Sequence, residues 1–246
     1  MKIDKEIYEY LSGVKFSNSL IFKIEDRIPE RRRVDLITSL ARDKRIIHLG
    51  CLDHIPLIKD KMKGNTWLHG LLTEASEICL GIDINKEGIE YAQKELGIHN
   101  IVYGDILHDE IPETQEIEKW DFLILGEILE HIDNPISFLS NIRTKYEGKV
   151  EKIVITVPNV LTFQSMKGLK KAIENVNSDH RYWFTPYTIS KVMHRAGFRI
   201  ENIDFANRIQ LSTLQLSIRK IRSLFNMKSS YPFSFYSSIV IIGSFK

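Results

Sequence analysis

Residues 120–135 read Trp-Asp-Phe-Leu-Ile-Leu-Gly-Glu-Ile-Leu-Glu-His-Ile-Asp-Asn-Pro (WDFLILGEILEHIDNP). Trp120 and the run Phe122 to Leu125 have the pattern of a strand buried on both faces. At Gly126 the apolar run stops, and Glu127, Glu130, His131 and Asp133 follow at once. Asn134-Pro135 then opens a helix, with proline at its first position. Ligands of an open parallel sheet bind beyond the carboxyl ends of its strands. Two carboxylates and an imidazole therefore stand where such a fold does its chemistry. Favouring a nearby helix N-terminus would account for either acid alone. It does not account for the histidine beside them.

Outward from this stretch the chain alternates between strand and helix patterns. Strands are predicted at 45–49 (RIIHL), 78–84 (ICLGIDI), 100–103, 121–125, 152–157, 198–205 and 235–245. Helical patterns cover 25–43, parts of 55–76, 86–96, 136–146 and 187–197. Such alternation implies parallel βαβ units and a doubly wound α/β sheet. The closing FYSSIVIIGSF is apolar on both faces and needs interior neighbours. Residues 1–24 alternate aromatic and charged side chains and favour no element. The expected organisation is an N-terminal helical extension over 1–44 and one domain over 45–246, with an insertion at about 206–232.

Composition narrows the functional classes. The chain has 246 residues, 43% of them hydrophobic, and a formal net charge of +2. That charge implies no polyanion partner by itself. Cys51 and Cys79 form no CxxC pair, which argues against a disulfide scaffold or structural zinc and suits a reducing cytoplasm. The opening MKIDKEIYEYLSG is too charged for a signal peptide. No apolar run approaches the ~20 residues of a spanning helix.

Three further strand ends carry suggestive residues. The first strand-turn-helix reads IIHLGCLDH over 46–54. A glycine there lets the backbone approach a ligand before the helix begins. Only Gly50 is present, so neither the dinucleotide GxGxxG nor a P-loop is matched. The second strand ends in Asp83, well placed to accept hydrogen bonds from a ribose diol. The third leads into Gly104-Asp105. Aspartate is common in turns, so each acid alone says little. Three strand ends in register, followed by GEILEH, say more.

With these residues assembled, the chain resembles the class I S-adenosylmethionine-dependent methyltransferases over roughly 45–205 and 235–245. HLGC at 48–51 matches their glycine-bearing first loop, GIDI at 81–84 their ribose acid, and GDI at 104–106 the acid that addresses the adenine amino group. WDFLILGEILEHIDNP resembles their fourth motif, and ITVPN at 155–159 the fifth strand and its exit. DHRYWFTPYTISKVMHRAGF at 179–198 resembles the segment leading to the sixth strand. The resemblance implies a seven-stranded, mostly parallel sheet whose last strand runs antiparallel. It implies S-adenosylmethionine as cofactor, met by His48, Gly50, Cys51, Asp83, Ile84, Asp105, Ile106 and Gly126. One departure stands out. The family's first motif carries an acid on the strand and two or three glycines. Here His48 replaces the acid, and Cys51, Leu52, Asp53 and His54 fill the loop. The methionine end is then held differently, or the chain is a relative without cofactor.

Glu127-x-x-Glu130-His131 also resembles the metal-binding spacing of ubiquinone-pathway O-methyltransferases and of small-RNA 3′-end 2′-O-methyltransferases. Asp179-His180-Arg181-Tyr182 resembles the segment that completes the site in the RNA enzymes. This implies a divalent ion on Glu127, Glu130, His131 and His180. Mixed carboxylate and imidazole ligands suit Mg, Mn or Zn rather than Ca. Such an ion lowers the pKa of an acceptor hydroxyl and orients it. Without metal, His131 or His180 is the candidate general base, since imidazole titrates near ~6.5. Glu127 joins them as a catalytic candidate.

Trp67, Tyr182, Trp183, Phe184 and Tyr187 fit either an acceptor pocket or core packing. Arg208, Arg219, Lys220, Arg222 and Lys228 fit an anionic acceptor, a membrane or a solvated helix face. Leu211, Leu214, Leu216, Ile218, Ile221 and Leu224 form an apolar side for core, homodimer contact or cap. The expected activity is O-methylation of a small specialised metabolite or a glycosyl or phospho-glycosyl acceptor. An RNA 3′-end enzyme and a non-catalytic partner protein are the alternatives. The absence of a dense basic surface or separate RNA-binding module argues against nucleic acid.

Overall fold

The computed structural model describes residues 1–24, 28–209 and 230–245. Its main body is a seven-stranded sheet covered by helices on both faces. The strands are β2 (Arg45–Leu49), β3 (Ile78–Asp83), β4 (Ile101–Tyr103), β5 (Trp120–Gly126), β6 (Val150–Pro158), β7 (Arg199–Arg208) and β9 (Tyr236–Ser244). Their order is β4-β3-β2-β5-β6-β9-β7. The pairs from β4 to β6 are parallel, whereas β9 runs antiparallel between β6 and β7, with Val154 opposite Ile242. The chain winds outward from β2 through β3 to β4, then returns to β5 on the other side of β2. That reversal creates a crevice at the strand ends, where such sheets bind ligands.

Central position explains the apolar runs. Ile46 and Ile47 of β2, and Leu123, Ile124 and Leu125 of β5, are all fully buried. Burying each such side chain contributes about 1.5–3 kcal/mol. One face of the sheet packs on α6 (Pro135–Tyr146) and α8 (Pro186–Arg195), through Leu139, Ile142, Ile189 and Met193. On the other face lie α2 (Arg33–Ala41) and α4 (Leu68–Ala75), through Ile37 and Leu72. A third cluster joins α3 (Ile55–Lys63) to α5 (Lys86–Leu96), through Ile58 and Ile89.

Local chemistry sets the helix starts. Asn85 accepts from the Gly88 N–H at 3.0 Å, and Asn134 accepts from the Ser137 N–H at 3.1 Å. Thr185 and Thr188 cap the start of α8 reciprocally. Each satisfies donors that have no partner inside the helix.

The N-terminal segment differs from its sequence reading in three ways. Residues 1–24 contain a helix, α1 (Lys5–Ser12), whose Tyr8 hydroxyl donates to the Ile200 carbonyl at 2.5 Å. The helix expected over 25–43 begins only at Arg33. Before it, β1 (Ile28–Pro29) pairs antiparallel with β8 (Ser230–Tyr231). Proline disfavours helical geometry at the residue before it, so Ile28 is extended. Another helix, α7 (Phe163–Leu169), follows β6 where none was expected. Of the 206–232 insertion, 206–208 extend β7, and 210–229 lie outside the described residues. With them go Arg219, Lys220, Arg222, Lys228 and the apolar positions from Leu211 to Leu224. Among the described residues, no helix is long and apolar enough to cross a membrane.

Candidate active site

Two clefts open at the carboxyl ends of β2 to β5. One, of about 510 Å³, is lined by Arg33, His48, Asp83, Asn85, Glu127 and others. The second, of about 580 Å³, is lined by Asp83, Ile84, Asp105, Ile106, His108 and others. Gly50, Asp83, Ile128 and His131 border both. A single elongated ligand crossing from one cleft to the other would pass over these four residues.

Gly50 sits at φ +61 and donates its N–H to the Ile82 carbonyl at 2.9 Å. A side chain there would meet Ile128 Cδ1 at 2.5 Å. The left-handed backbone, which costs an L-residue roughly 1–2 kcal/mol, is what requires glycine; the isoleucine tip can move. Asp83 is buried. Its Oδ2 accepts from the Leu52 N–H at 3.0 Å, and its Oδ1 from the Asn85 N–H at 3.0 Å. The two bonds fix the carboxylate, and each oxygen keeps a further lone pair. Asp105 accepts from the Leu107 N–H at 2.9 Å and lies 2.8 Å from His108 Nδ1. Burial pushes its carboxyl upward, but the His108 and Leu107 bonds outweigh burial and hold it below the ordinary value.

His48 borders the first cleft, yet its ring belongs to the core. It is buried, with Nδ1 3.3 Å from His69 Nδ1. Burial, then His69, then Arg33, keep its pKa well below the ordinary range, so the ring is neutral. Cys51 is a buried free thiol beneath the same loop, its pKa driven well up by burial and then Asp83. Ile106 is buried, whereas Ile84 is exposed at the rim of the second cleft.

The four residues expected to form one cluster divide. Glu130, His131 and His180 bring ligand-capable atoms within 4.8 Å of one another. Glu127 turns elsewhere. Its backbone is left-handed at φ +58, and the single 3₁₀ turn starts only at Leu129. The helical spacing that would have put Glu127 on the same face as Glu130 and His131 is therefore absent. Glu127 Oε1 lies 3.9 Å from Arg33 Nε, and Arg33 Nη1 donates to Thr156 Oγ1 at 3.3 Å. The Glu127 side chain keeps 30% of its surface open, but Oε1 itself is buried without a hydrogen bond. Burial raises the Glu127 pKa, and Arg33 pulls it back.

Glu130 is fully buried, and neither carboxylate oxygen has a hydrogen-bond partner. Burial first, and the charge of Glu127 second, push its pKa up to about 8. His131 Nδ1 lies 3.2 Å from the Asp179 carbonyl, a bond it makes as donor, leaving Nε2 as acceptor. The His131 and His180 rings meet edge to face, centroids 4.8 Å apart. Burial and the neighbouring His131 lower the His180 pKa. What brings these rings together is backbone stitching. The Glu130 carbonyl accepts from the Arg181 and Tyr182 N–H groups at 2.8 and 3.3 Å. Arg181 pairs with Asp133, and the Tyr182 hydroxyl donates to the Asp133 carbonyl at 2.7 Å.

A smaller cavity of about 220 Å³ continues from His180, lined by Asn159, Gln164, Asn175, Asn177, Trp183 and others. Asn159 is held by the Tyr236 carbonyl at 2.9 Å. Of the expected aromatics, Tyr182 and Trp183 border this cavity, Trp67 borders the first cleft, and Phe184 is core. Tyr187 packs partly buried against the main core. Sequence reasoning missed Arg33, Asn85 and Ile128. Ile128 lies inside the deciding stretch, but Arg33 carries no motif, and only its place beside Glu127 in three dimensions reveals it.

The profile of a family described as "Methyltransferase domain" matches residues 24–203. The chain belongs to this methyltransferase family.

It is an S-adenosylmethionine-dependent methyltransferase, and the fold agrees with solved relatives. A S-adenosylmethionine-dependent methyltransferase of Thermotoga maritima, described as a possible histamine N-methyltransferase, is 15% identical, with TM-score 0.54 and 87% of each chain covered. Magnesium protoporphyrin IX methyltransferase from Synechocystis, solved with SAH bound, is 15% identical with TM-score 0.50, covering 86% of this chain and 81% of that one. A small RNA methyltransferase is 15% identical with TM-score 0.53, covering 86% of this chain and 24% of that longer one. No match was found among curated proteins.

Proposed function

We propose that the enzyme methylates a hydroxyl oxygen on a small, uncharged, polyhydroxylated acceptor of the glycosyl class. One observation carries this reading: the Glu130–His131–His180 group stands between the paired clefts and a cavity lined by amides and hydroxyls. In this reading the second cleft takes adenine between Ile84 and Ile106, with Asp105 on its amino group. Asp83 accepts from the ribose diol, and Gly50 gives the backbone its close approach. The first cleft takes the methionine end beside Gly126, His48 and Cys51. There Arg33 is the cation for the α-carboxylate and Glu127 the anion for the α-ammonium. Together they supply what the absent strand acid would have supplied.

The acceptor oxygen attacks the methyl carbon in line. The new O–C bond forms as the C–S bond breaks, and the electron pair returns to sulfur. The hydroxyl proton passes to an imidazole, Nε2 of His131 or His180. The lowered pKa of His180 favours the neutral form that accepts a proton. Positioning supplies most of the acceleration, because the sulfonium carbon is already activated. Glu130, His131 and His180 also fit a divalent ion, since Glu130 offers two unpartnered oxygens beside two imidazoles. An ion there would lower the pKa of the acceptor hydroxyl. Glu127 is outside that group.

A ribose 2′-hydroxyl at an RNA end shares the diol chemistry, but among the described residues no lysine or arginine lines the acceptor cavity. Phosphate-rich acceptors depend on such cations. Cys51 and Cys79, both buried free thiols, suit a cytoplasmic setting. The test is methyl transfer from labelled S-adenosylmethionine to a panel of glycosides and short RNAs. Labelling of a glycoside hydroxyl, insensitive to added salt, is expected. Salt-sensitive labelling of RNA alone, or no cofactor binding by calorimetry, would overturn the reading.

A further inference from the structure

Beside the acceptor cavity, the stretch 161–176 exposes large apolar side chains at unusual density. Leu161, Phe163, Met166, Leu169, Ile173 and Val176 are each between 38% and 69% exposed. Phe163, Met166 and Leu169 recur every three residues along one side of α7. Single exposed apolar residues are ordinary on a soluble surface; six within sixteen positions, three of them on one short helix, are a concentration of the kind that marks an interaction site. Lys167, Lys170 and Lys171 interleave with them, exposed and without an ion pair among the described residues. Glu174 is the one acid in the stretch. The element is firmly seated: Phe163 stacks on Phe235 at 6.0 Å, and Thr162 caps the helix by accepting from the Ser165 N–H at 3.0 Å.

Charge decides between occupants. A second copy bound through the same patch about a two-fold axis would set lysine against lysine. An anionic surface has the complementary sign. Phenylalanine and leucine beside free lysines is the composition of helices that lie in a bilayer interface, apolar side down, ammonium groups among the headgroups. Val176 also lines the cavity that Tyr182 and Trp183 flank, both well exposed. Their rings are of the type that settles at headgroup level.

We propose that residues 161–176 dock this enzyme on a bilayer carrying anionic headgroups. The docked face includes the rim of the acceptor cavity, a placement that rests on the acceptor reading above; the docking itself does not. The test is sedimentation of the full chain with vesicles of phosphatidylcholine alone and of phosphatidylcholine with phosphatidylglycerol. Binding to the anionic vesicles only, weakened by salt, is expected. Two variants should each lose it by about tenfold or more: Leu169→Asp with Ile173→Asp, and Lys167→Glu with Lys170→Glu and Lys171→Glu. Unchanged cofactor affinity in both, by calorimetry, shows that they are folded. No binding to either vesicle, or binding that both variants retain, overturns the proposal. So does a wild-type dimer that Leu169→Asp converts to monomer, which would assign the face to a second copy. Methyl transfer to soluble glycosides measured on the same protein separates failure here from failure of the acceptor reading.

Discussion

Replacing Glu130 with glutamine tests the electrostatics of the site without measuring activity. Glu130 is fully buried, and its pKa stands at about 8 against 4.5 for an ordinary glutamate. The folded state therefore holds this proton between those values while the unfolded chain has released it. Stability is greatest below the unfolded value and falls as pH rises through the folded one. At about 1.4 kcal/mol per pH unit, the whole interval is worth about 5 kcal/mol. Glu130→Gln keeps the neutral shape and removes the titration. His48 and His69 act in the opposite sense, because their pKa values are lowered, that of His69 to about 4. They gain stability as pH rises towards the ordinary histidine value, and they do so equally in both proteins. The difference between wild type and variant therefore reports Glu130 together with its coupling to Glu127. Urea unfolding in EDTA should show the variant gaining about 4 kcal/mol on wild type between about pH 5 and pH 8. A difference that does not change with pH would refute the buried, unpartnered carboxyl and the ligand-like geometry argued from it.

Asp83→Ala should weaken S-adenosylmethionine binding by ~1.5–3 kcal/mol in calorimetry, the range for a charge-assisted hydrogen bond; unchanged affinity would remove the ribose assignment. Gly50→Ala should cost roughly 1–2 kcal/mol of stability because its φ of +61 disfavours any L side chain, and thermal melts equal to wild type would contradict that backbone. Arg33→Ala should weaken S-adenosylmethionine more than an analogue lacking the α-carboxylate, and equal losses for both ligands would detach Arg33 from the methionine end. His131→Ala should lower kcat by about a hundredfold or more, a larger loss than any it causes in cofactor affinity; if EDTA leaves wild-type turnover unchanged alongside that loss, the imidazole works without a metal.

The parts of this molecule that could be read from sequence are those that local chemistry determines. β2, β3 and β5 are apolar runs stopped by Gly50, Asp83 and Gly126, and each lies within a residue or so of its expected limits. The helix at Pro135 follows from Asn134 and the proline after it. α7 has only seven residues and leaves its apolar side chains in water, so no buried stripe announced it. β1 is two residues held by a partner strand some two hundred positions away, which no local pattern encodes. The same distinction runs through the site. Glu130 and His131 adjoin in sequence, and His180 joins them because the Glu130 carbonyl accepts the Arg181 N–H. The Glu127 spacing misled, since it assumed a helical turn that the left-handed backbone at Glu127 excludes.

That backbone conformation bears directly on how the chain departs from its family's first motif. An acid at position 48 would be as buried as His48 is, and its charge would carry a desolvation cost. A neutral His48, beside a neutral His69, avoids that cost. It also leaves β2 itself without a carboxylate to offer an ammonium group in the first cleft, whose lining acids are Asp53, Asp83 and Glu127. Glu127 stands one strand over, directly after β5, with its buried Oε1 facing Arg33 at a distance too long for a tight ion pair. A closed salt bridge would compete with a zwitterionic ligand for both partners. A loose one leaves Oε1 desolvated and unsatisfied, a state that costs about 1–3 kcal/mol and that a bound ammonium group relieves. In the function proposed above, the residue that sequence spacing assigned to the acceptor side serves the donor side, and its left-handed backbone and unpartnered Oε1 are the observations that support that role.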